Sequence, residues 1–227
     1  MPMTIDFDPT DDFADVVDAT ESVTLKRRGT SSATAIAAAL RRAVDTHQAS
    51  ARNLYNTWKK PASAGHLTAC DVIWHLPKEQ LSEAPRLGDL IVDADNARWT
   101  ILDVRLATLK TRWQCFARNL AVVHGLDDTL TILKATYTKG SGGAAEPAWN
   151  VWRTGVRARI QPAKAAVDVE NQTRRSTRRF QIFVEEDVAL DHNHRIQGPD
   201  GTVYRIRGTT GAQRIDEVQN VDAEVTG

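Results

Sequence analysis

The sequence predicts a mostly β protein made of two similar small β-barrel domains in tandem, with a short N-terminal helix and long inter-strand loops. Several short segments alternate polar and apolar residues, as half-buried strands do. Asp-Asn and Asp-Gly pairs stand between such segments and are typical of hairpin turns. The same succession of segments also occurs twice along the chain, which indicates an internal repeat.

The repeat is defined by residue pairs at a nearly constant spacing. Three pairs lie 109 residues apart, namely Trp74 and Phe183, Arg86 and Arg195, and Leu87 and Ile196. Four later pairs lie 105 residues apart, namely Asp95 and Asp200, Trp99 and Tyr204, Ile101 and Ile206, and Leu120 and Val225. A four-residue insertion in the first copy, at about residues 88–93, would account for the change of spacing.

The two copies also begin alike, because residues 22–27 and 129–134 both have the pattern of a first strand. The boundary between them is expected near residues 124–128. The predicted domains are therefore residues 1–125, an acidic arm plus the first barrel, and residues 126–227, the second barrel. Each half holds five or six predicted strands, which suits a small closed barrel.

Some elements are ambiguous in the sequence. Residues 9–18 can form a short acidic helix capped by Thr10. Residues 33–44 have helical spacing of their apolar residues, but the repeat matches residues 40–44 to a strand at 156–160, and we predict a strand. Residues 45–58 are rich in helix formers and stand where the second copy has a predicted loop, residues 163–179.

The charge of the chain is zero overall but uneven along its length. The first 21 residues carry seven acidic residues and no Lys or Arg: Asp6, Asp8, Asp11, Asp12, Asp15, Asp18 and Glu21. Basic stretches follow at residues 26–60 and 153–179. This polarity suits head-to-tail contact between copies, or a basic lining that faces phosphate.

The composition argues against several classes of protein. We expect no secretion, because no signal pattern is visible, and no membrane span, because no apolar run is long enough. The two cysteines, Cys70 and Cys115, are expected to be buried thiols of a protein made in a reducing cytoplasm.

No motif of established chemistry stands out, and we expect no enzyme, no cofactor and no metal. Four residues are candidate metal ligands, although a polar loop before a strand is the preferred interpretation: Asp187, Asp191, His192 and His194. Five tryptophans lie on or beside predicted strands and would either stack bases or, as we favour, fill the cores: Trp74, Trp99, Trp113, Trp149 and Trp152.

The second copy carries a distinctive order of motifs. They are Val151-Trp152, Ile160-Gln161-Pro162, the polar residues 163–179, the strand 180–184, His194-Arg195-Ile196 and the hairpin 201–206. This order resembles the head-closure (head–tail adaptor or stopper) proteins of long-tailed phages. Residues 13–28 are similar to the helix-then-strand opening of that family. Members of the family usually have one such domain, and two copies are a departure.

The resemblance implies a structural virion protein of the head–tail connector, or neck, made in the cytoplasm of a bacterial host. Its partners would be copies of itself in a ring of roughly six or twelve positions, the portal or adaptor ring, tail proteins and the DNA in the channel. Strand edges left open by each barrel would pair between copies.

Two sets of residues are the candidates for these contacts. Four arginines at the end of the polar segment would contact DNA phosphate without reading sequence: Arg174, Arg175, Arg178 and Arg179. Five aspartates would lie on a basic stretch of a neighbouring copy: Asp6, Asp8, Asp11, Asp12 and Asp15. The alternatives are a tail-completion or tail-terminator subunit, and a double barrel that binds nucleic acid without sequence specificity.

Overall fold

The computed structural model describes residues 19–30, 32–44, 70–107, 109–139, 145–163, 166–170, 173–185 and 188–225. Within these, residues 166–170 and 173–177 are described by their backbone alone. The helix predicted over residues 9–18 and the helix-rich residues 45–58 lie outside the described parts. No helix among the described residues is long and apolar enough to cross a membrane.

The first barrel contains six antiparallel strands. They are β1 (Glu21–Lys26), β2 (Ala33–Ala43), β3 (Asp71–Pro77), β4 (Leu90–Val92), β5 (Arg98–Leu106) and β6 (Arg112–Arg118), with one 3₁₀ turn at Lys78–Gln80. The strand order around the barrel is β1-β2-β3-β6-β5-β4, and pairing of β1 with β4 closes it.

The second barrel follows a short helix, α1 (Leu120–His124). Its six wall strands are β7 (Asp128–Lys139), β8 (Ala145–Pro162), β11 (Arg179–Val184), β12 (His194–Gln197), β13 (Val203–Thr210) and β14 (Gln219–Val225). The order is β7-β8-β11-β14-β13-β12, closed by pairing of β12 with β7. A separate hairpin, β9 (Ala166–Glu170) and β10 (Thr173–Thr177), is inserted between β8 and β11.

The two barrels have the same topology, which confirms the predicted fold class. If the wall strands of each barrel are numbered one to six along the chain, both orders are one, two, three, six, five, four. The compact units are Met1–Leu120 with Arg214–Asp216, and Ala121–Gln213 with Glu217–Gly227. The expectation of open barrel edges is wrong, because a closed sheet has none.

The spacing of 105 residues is confirmed in the hairpin after the fourth strand of each barrel. Ile91 pairs with Trp99 in the first barrel as Ile196 pairs with Tyr204 in the second. A β-bulge follows Ile101 and recurs after Ile206, the residue 105 positions later.

The turns of these hairpins have the same backbone conformation. Asn96 has φ 60° and Gly201 has φ 82°, and each donates its N–H to the carbonyl three residues earlier at 3.1 Å. Asn and Gly are the residues that adopt this left-handed region at least cost. The Asp-Asn and Asp-Gly signals were therefore interpreted correctly.

The four predicted pairs at the other positions are wrong. Arg86 lies in the loop before β4, whereas Arg195 lies in β12. Trp74 lies in the core of the first barrel, whereas the ring of Phe183 faces outward beneath Arg159. The residue of β11 whose pairing with the last wall strand matches that of Trp74 is Ile182, one position earlier. Leu87 is exposed in the turn before β4, while Ile196 is buried. Leu120 begins α1, while Val225 lies in β14. The extra residues of the first copy therefore precede β4.

The strand predicted at residues 40–44 is confirmed as part of β2. Its counterpart in the second copy is the last few residues of β8, not residues 156–160 as predicted. Its helix-like spacing has a local cause. Ile36 and Ala39 are both buried in the barrel, three residues apart, because the register shifts beside Ala38, which has φ 53°. A bulge of this kind interrupts the period of two.

Each barrel encloses its own core. In the first, Trp74 and Trp99 meet edge to face with their ring centroids 6.2 Å apart. In the second, Tyr204 and Phe180 meet in the same way at 5.2 Å. Cys115 is buried, and burial raises the pKa of its thiol far above the usual range, whereas Cys70 is only half-buried.

The half-buried His75 of β3 should make stability depend on pH. Burial lowers its pKa, and the positive charges of Arg112 and Arg42 lower it further. An unfolded chain takes up this proton near pH 6.5, so the unfolded state binds more protons as pH falls through that region. The free energy of unfolding, measured with urea, should therefore decrease from about pH 7.5 to about pH 5.5. His75→Gln should reduce this decrease, and the exposed control His192→Gln should leave it; equal slopes for all three proteins would contradict the prediction.

Candidate functional site

The buried carboxylates of the first barrel stabilise its loops. Asp93 Oδ1 accepts the N–H groups of Asp95 and Ala97 at 3.0 and 2.8 Å, and its Oδ2 accepts Trp99 Nε1 at 2.9 Å. Arg41 Nη1 lies 3.2 Å from the same Oδ2. This carboxylate holds the β4–β5 turn and is already saturated with donors, which is a structural role.

Asp89 and Asp71 are used in the same way. Asp89 accepts Arg27 Nη1 at 2.8 Å and the backbone N–H groups of Arg28 and Arg86 at 3.0 and 2.9 Å. Asp71 and Arg118 form a buried bidentate pair at 2.6 and 3.0 Å. Buried charges are tolerated when they are paired like this, and both carboxylates stabilise the first barrel.

The predicted metal candidates form a turn. Asp191 Oδ1 lies 2.7 Å from His194 Nδ1 and accepts the N–H of Asn193 at 2.8 Å, immediately before β12. His192 is exposed, and Asp187 lies outside the described residues. No group of three His, Cys, Asp or Glu residues in the described ranges is arranged to hold a metal ion.

The arginine-rich segment is a hairpin rather than the predicted loop. Arg174 and Arg175 belong to β10, where they stand opposite Val169 and Asp168 of β9. Arg178 is exposed between the strands, and Arg179 begins β11 opposite Glu224 of β14. The segment therefore starts in the inserted hairpin and ends in the barrel wall. The five candidate aspartates from Asp6 to Asp15 lie outside the described residues.

The longest projection of the second barrel is the β7–β8 hairpin, which the sequence analysis missed. These strands pair from Asp128 opposite Ala158 to Lys139 opposite Ala145. Among the described strands, β12 pairs with β7 only over residues 131–134, and β11 pairs with β8 only over 158–162. Residues 135–139 and 145–150 therefore form a two-stranded ribbon beyond the barrel wall.

A bulge at Gly155 marks the passage from barrel wall to ribbon. The register between β7 and β8 shifts where Leu130 stands opposite Val156 and Ile132 opposite Arg153. Gly155, inside this shift, has φ 72°. A glycine in the left-handed region is the usual first residue of such a bulge, which bends the strand.

Large apolar side chains are exposed on and beside this ribbon. Tyr137 is 57% exposed, Val151 63% and Trp152 41%. The core position that we favoured for Trp152 is therefore wrong, and Trp149 is half-buried; Trp74 and Trp99 lie in the first core, and Trp113 packs against it. Exposed apolar side chains grouped in this way are typical of an interaction surface.

Cations surround the two tryptophans of β8. Arg195 Cζ lies 4.1 Å from the ring centroid of Trp149. Lys134 Nζ and Arg153 Cζ lie 5.8 and 5.6 Å from that of Trp152, which also meets the ring of His194 at 4.9 Å. These distances allow cation–π attraction. The two clusters lie on opposite faces of the sheet, because Arg195 pairs with Leu133 whereas His194, which meets Trp152, pairs with the next residue, Lys134.

The positive charge continues onto the next strands of the wall. Arg195 of β12 stands opposite Arg205 of β13, which stands opposite Glu224 of β14. Arg207 Nη1 bonds to Glu224 Oε2 at 2.7 Å, and Arg205 lies 3.9 Å from the other oxygen. Glu224 is thus engaged by two arginines, and the outer wall from β7 to β13 is predominantly cationic.

Comparison with known proteins gives a structural similarity over part of the chain. No protein-family model and no curated protein matches the chain. Part of the structure is similar to a chain from the virion of a native gene transfer agent (GTA) particle, with a TM-score of 0.35 and 13% sequence identity. The similarity covers 43% of this chain and 93% of that chain.

The left-handed conformation of Gly155 predicts the outcome of a substitution. A Cβ at this position meets no atom within 4 Å, so the cost comes from the backbone alone. Gly155→Ala should lower the free energy of unfolding by about 1–2 kcal/mol. Gly208→Ala is the control, because its added Cβ also meets nothing and its φ is not left-handed. Urea unfolding measures both variants, and equal stabilities would show that the bulge does not depend on glycine.

Proposed function

We propose that this protein is a structural component of the virion of a tailed phage or phage-like particle. Within the particle it is a ring-forming subunit of the head–tail connector, and it acts by shape rather than by catalysis. The observation that carries the proposal is the pair of six-stranded closed barrels with one strand order. A duplicated barrel supplies two similar positions in a stacked assembly.

The residues that resemble head-closure proteins support the proposal, because they follow the strands of the second barrel in the order that the resemblance requires. Val151-Trp152 and Ile160-Gln161-Pro162 lie in β8, and the polar segment after them contains the β9–β10 hairpin. The strand at 180–184 is β11, and Arg195 with Ile196 lies in β12. The hairpin at 201–206 joins β12 to β13.

Contacts between copies would use side-chain surfaces and projecting hairpins, because both barrels are closed. A ring needs heterologous contacts, in which one patch meets a different patch on the next copy. The second barrel offers such a patch in the exposed Tyr137 and Val151, which share one face of the β7–β8 hairpin because Leu133, the partner of Val151, lies four residues from Tyr137 in β7. The portal or adaptor ring and the tail would bind the two faces of the assembly.

The arginines at residues 174–179 would face the DNA in the channel. Such contacts are made to phosphate, so they hold or guide DNA of any sequence and weaken with salt. The chain has no net charge but has a local basic segment, and this combination fits weak contacts with DNA in a channel better than strong binding to free DNA. The electrostatic field of a neutral chain falls off quickly with distance at physiological salt, so it attracts free DNA only weakly.

Ring formation is the direct test. Purified full-length chain, alone and mixed with a portal or adaptor ring, is examined by mass photometry and negative-stain electron microscopy. We expect annular particles of roughly six or twelve copies of the 25.1 kDa chain. A chain that stays monomeric under every one of these conditions would contradict the proposal. Density for the chain at the junction in intact particles would also separate a connector from a tail-completion or tail-terminator subunit.

The second candidate function is non-specific binding of nucleic acid by the double barrel. The exposed Trp152, and Trp149 beneath Arg195, favour it, since aromatic and cationic side chains together bind single strands. The two functions differ in what the arginine-rich segment does.

Neutralising Arg174, Arg175, Arg178 and Arg179 to Gln distinguishes the two functions. A nucleic-acid-binding protein should lose roughly a hundredfold or more in affinity for a DNA oligonucleotide at low salt, with a shallower salt dependence. A connector should keep its weak affinity nearly unchanged and show a defect only in assembly or in DNA retention. The control neutralises four exposed cations elsewhere to Gln: Arg42, Arg86, Lys110 and Arg214. Fluorescence anisotropy at two salt concentrations measures both sets.

A further inference from the structure

A cleft in the first barrel lies between the β1–β2 turn and the loop that leads into β4. It has a volume of about 500 Å³, and its lining consists of three arginines, four Ser or Thr residues, two carboxylates and two leucines. The loop, residues 78–89, is three residues longer than residues 185–193, which join the matching strands β11 and β12 of the second barrel. One wall of the cleft therefore belongs to a loop that is extended in the first copy.

The two carboxylates of the cleft are each paired with an arginine. Asp89 is buried and accepts Arg27 Nη1 at 2.8 Å, together with the backbone N–H groups of Arg28 and Arg86. Arg27 also donates to two backbone carbonyls of the loop, at 2.7 and 2.9 Å. Glu83 Oε2 lies 2.8 Å from Arg86 Nη2, in a pair whose members are both exposed. Three arginines against two carboxylates leave one positive charge, which is that of Arg28.

Arg28 is the cation of the cleft that has no acidic partner. No described residue forms a hydrogen bond or an ion pair with its guanidinium, whereas its backbone N–H donates to Asp89 Oδ1 at 3.0 Å. The side chain of Arg28 nevertheless lies directly against the backbone of Gly88. A Cβ at Gly88 would stand 2.8 Å from Arg28 Cδ and 3.1 Å from its Nη1, so glycine leaves the room that this side chain occupies. A guanidinium that is positioned and unpaired is available to an anion.

Three hydroxyl groups of the cleft are available as well. No described residue forms a hydrogen bond with the side-chain oxygen of Ser32, Thr34 or Ser82. Ser32 and Thr34 lie at the start of β2, and Ser82 lies in the loop on the other side of the cleft. A ligand between them would therefore meet donors from two sides. Arginine together with Ser and Thr hydroxyls is a common set of donors to phosphate oxygens.

We propose that this cleft binds a phosphate group. Arg28 supplies the charge, and the three hydroxyls supply further hydrogen bonds to the tetrahedrally arranged oxygens. Arg86 can join them, because exposed ion pairs such as that with Glu83 are weak and exchange readily. A carboxylate has only two oxygens in one plane and would leave part of these donors unused.

The phosphate can belong to a nucleic-acid backbone or be free inorganic phosphate. The proposal goes beyond the proposed function, in which the candidate DNA contacts are the arginines of the second barrel. It does not require ring formation, and only the choice of DNA as the source of the phosphate rests on the connector function.

Titration of the ¹⁵N-labelled full chain with inorganic phosphate tests the site. We expect saturable shifts of the backbone amide signals near Arg28, Ser32 and Ser82, and none in the second barrel. Sodium chloride and sodium acetate, added to the same ionic strength, are the controls. Acetate that binds as tightly as phosphate, or phosphate that produces no localised shifts, overturns the proposal.

Matched variants locate the binding groups. Arg28→Gln should weaken phosphate binding roughly fivefold or more. The control Lys26→Gln should change it less than about twofold, because Lys26 is an exposed cation two residues away that does not line the cleft. Thermal unfolding verifies that both variants are folded. Equal affinities of Arg28→Gln and the unaltered chain overturn the proposal.

A substitution that removes no donor tests the position of Arg28. Gly88→Ala should also weaken phosphate binding, because its Cβ takes the space of the arginine side chain. Gly201→Ala is the control for backbone strain, since Gly201 has φ 82° against 84° at Gly88 and its added Cβ meets no atom within 4 Å. Phosphate binding that is equal in the two variants overturns the role of this packing.

A short DNA duplex distinguishes the two sources of phosphate. If DNA is the source, the duplex displaces inorganic phosphate, and Arg28→Gln lowers the slope of DNA affinity against salt by about one. If the ligand is free phosphate, the amide signals shift with phosphate and not with the duplex. Either result upholds the cleft. Phosphate binding by a chain that never forms rings contradicts the connector function alone, and rings from a chain that binds no phosphate overturn the cleft alone.

Discussion

Closure of each six-stranded sheet is the constraint on which the rest of the structure depends. Once the first strand pairs with the fourth, every wall strand has two neighbours, and the interior has room for little more than the side chains of alternate residues. This explains why Trp74 and Trp99 fill one barrel, and Tyr204 and Phe180 the other. It also explains why bulges recur after Ile101 and Ile206, since bulges allow a small sheet to curve.

The same constraint leaves the described barrel walls without unpaired strand edges. A closed sheet offers no backbone donors or acceptors at an edge, and its buried carboxylates, such as Asp93, are saturated by the turns they hold. Among the described residues of the second unit, the β7–β8 ribbon and the β9–β10 hairpin are the strands that lie outside the closed wall. These are also the segments that carry exposed aromatic rings and clustered arginines.

The sequence predicted the turns, whose conformation depends on the local residue types. It missed the features that depend on which side of a strand is buried. Asn96 and Gly201 were identifiable because few residues accept positive φ. Phe183 was matched to Trp74 because both are aromatic. Which residue of β11 faces inward is decided instead by the alternation of side chains along the strand, and the pairing of β11 with β14 fixes that alternation. The ribbon was missed because residues 145–155 have no buried face, so no alternation exists to detect. The β9–β10 hairpin had one signal, Asn171, a common turn residue.

The continuity of β8 has a mechanical consequence. One uninterrupted strand of 18 residues runs from the ribbon, through the bulge at Gly155, into five ladder pairs with β11. Tension applied along the ribbon is therefore transmitted along β8 to its ladder with β11. There it loads all the ladder hydrogen bonds in shear at the same time and does not break them one after another. A force that pulls on the ribbon therefore loads the barrel along its strands rather than across them.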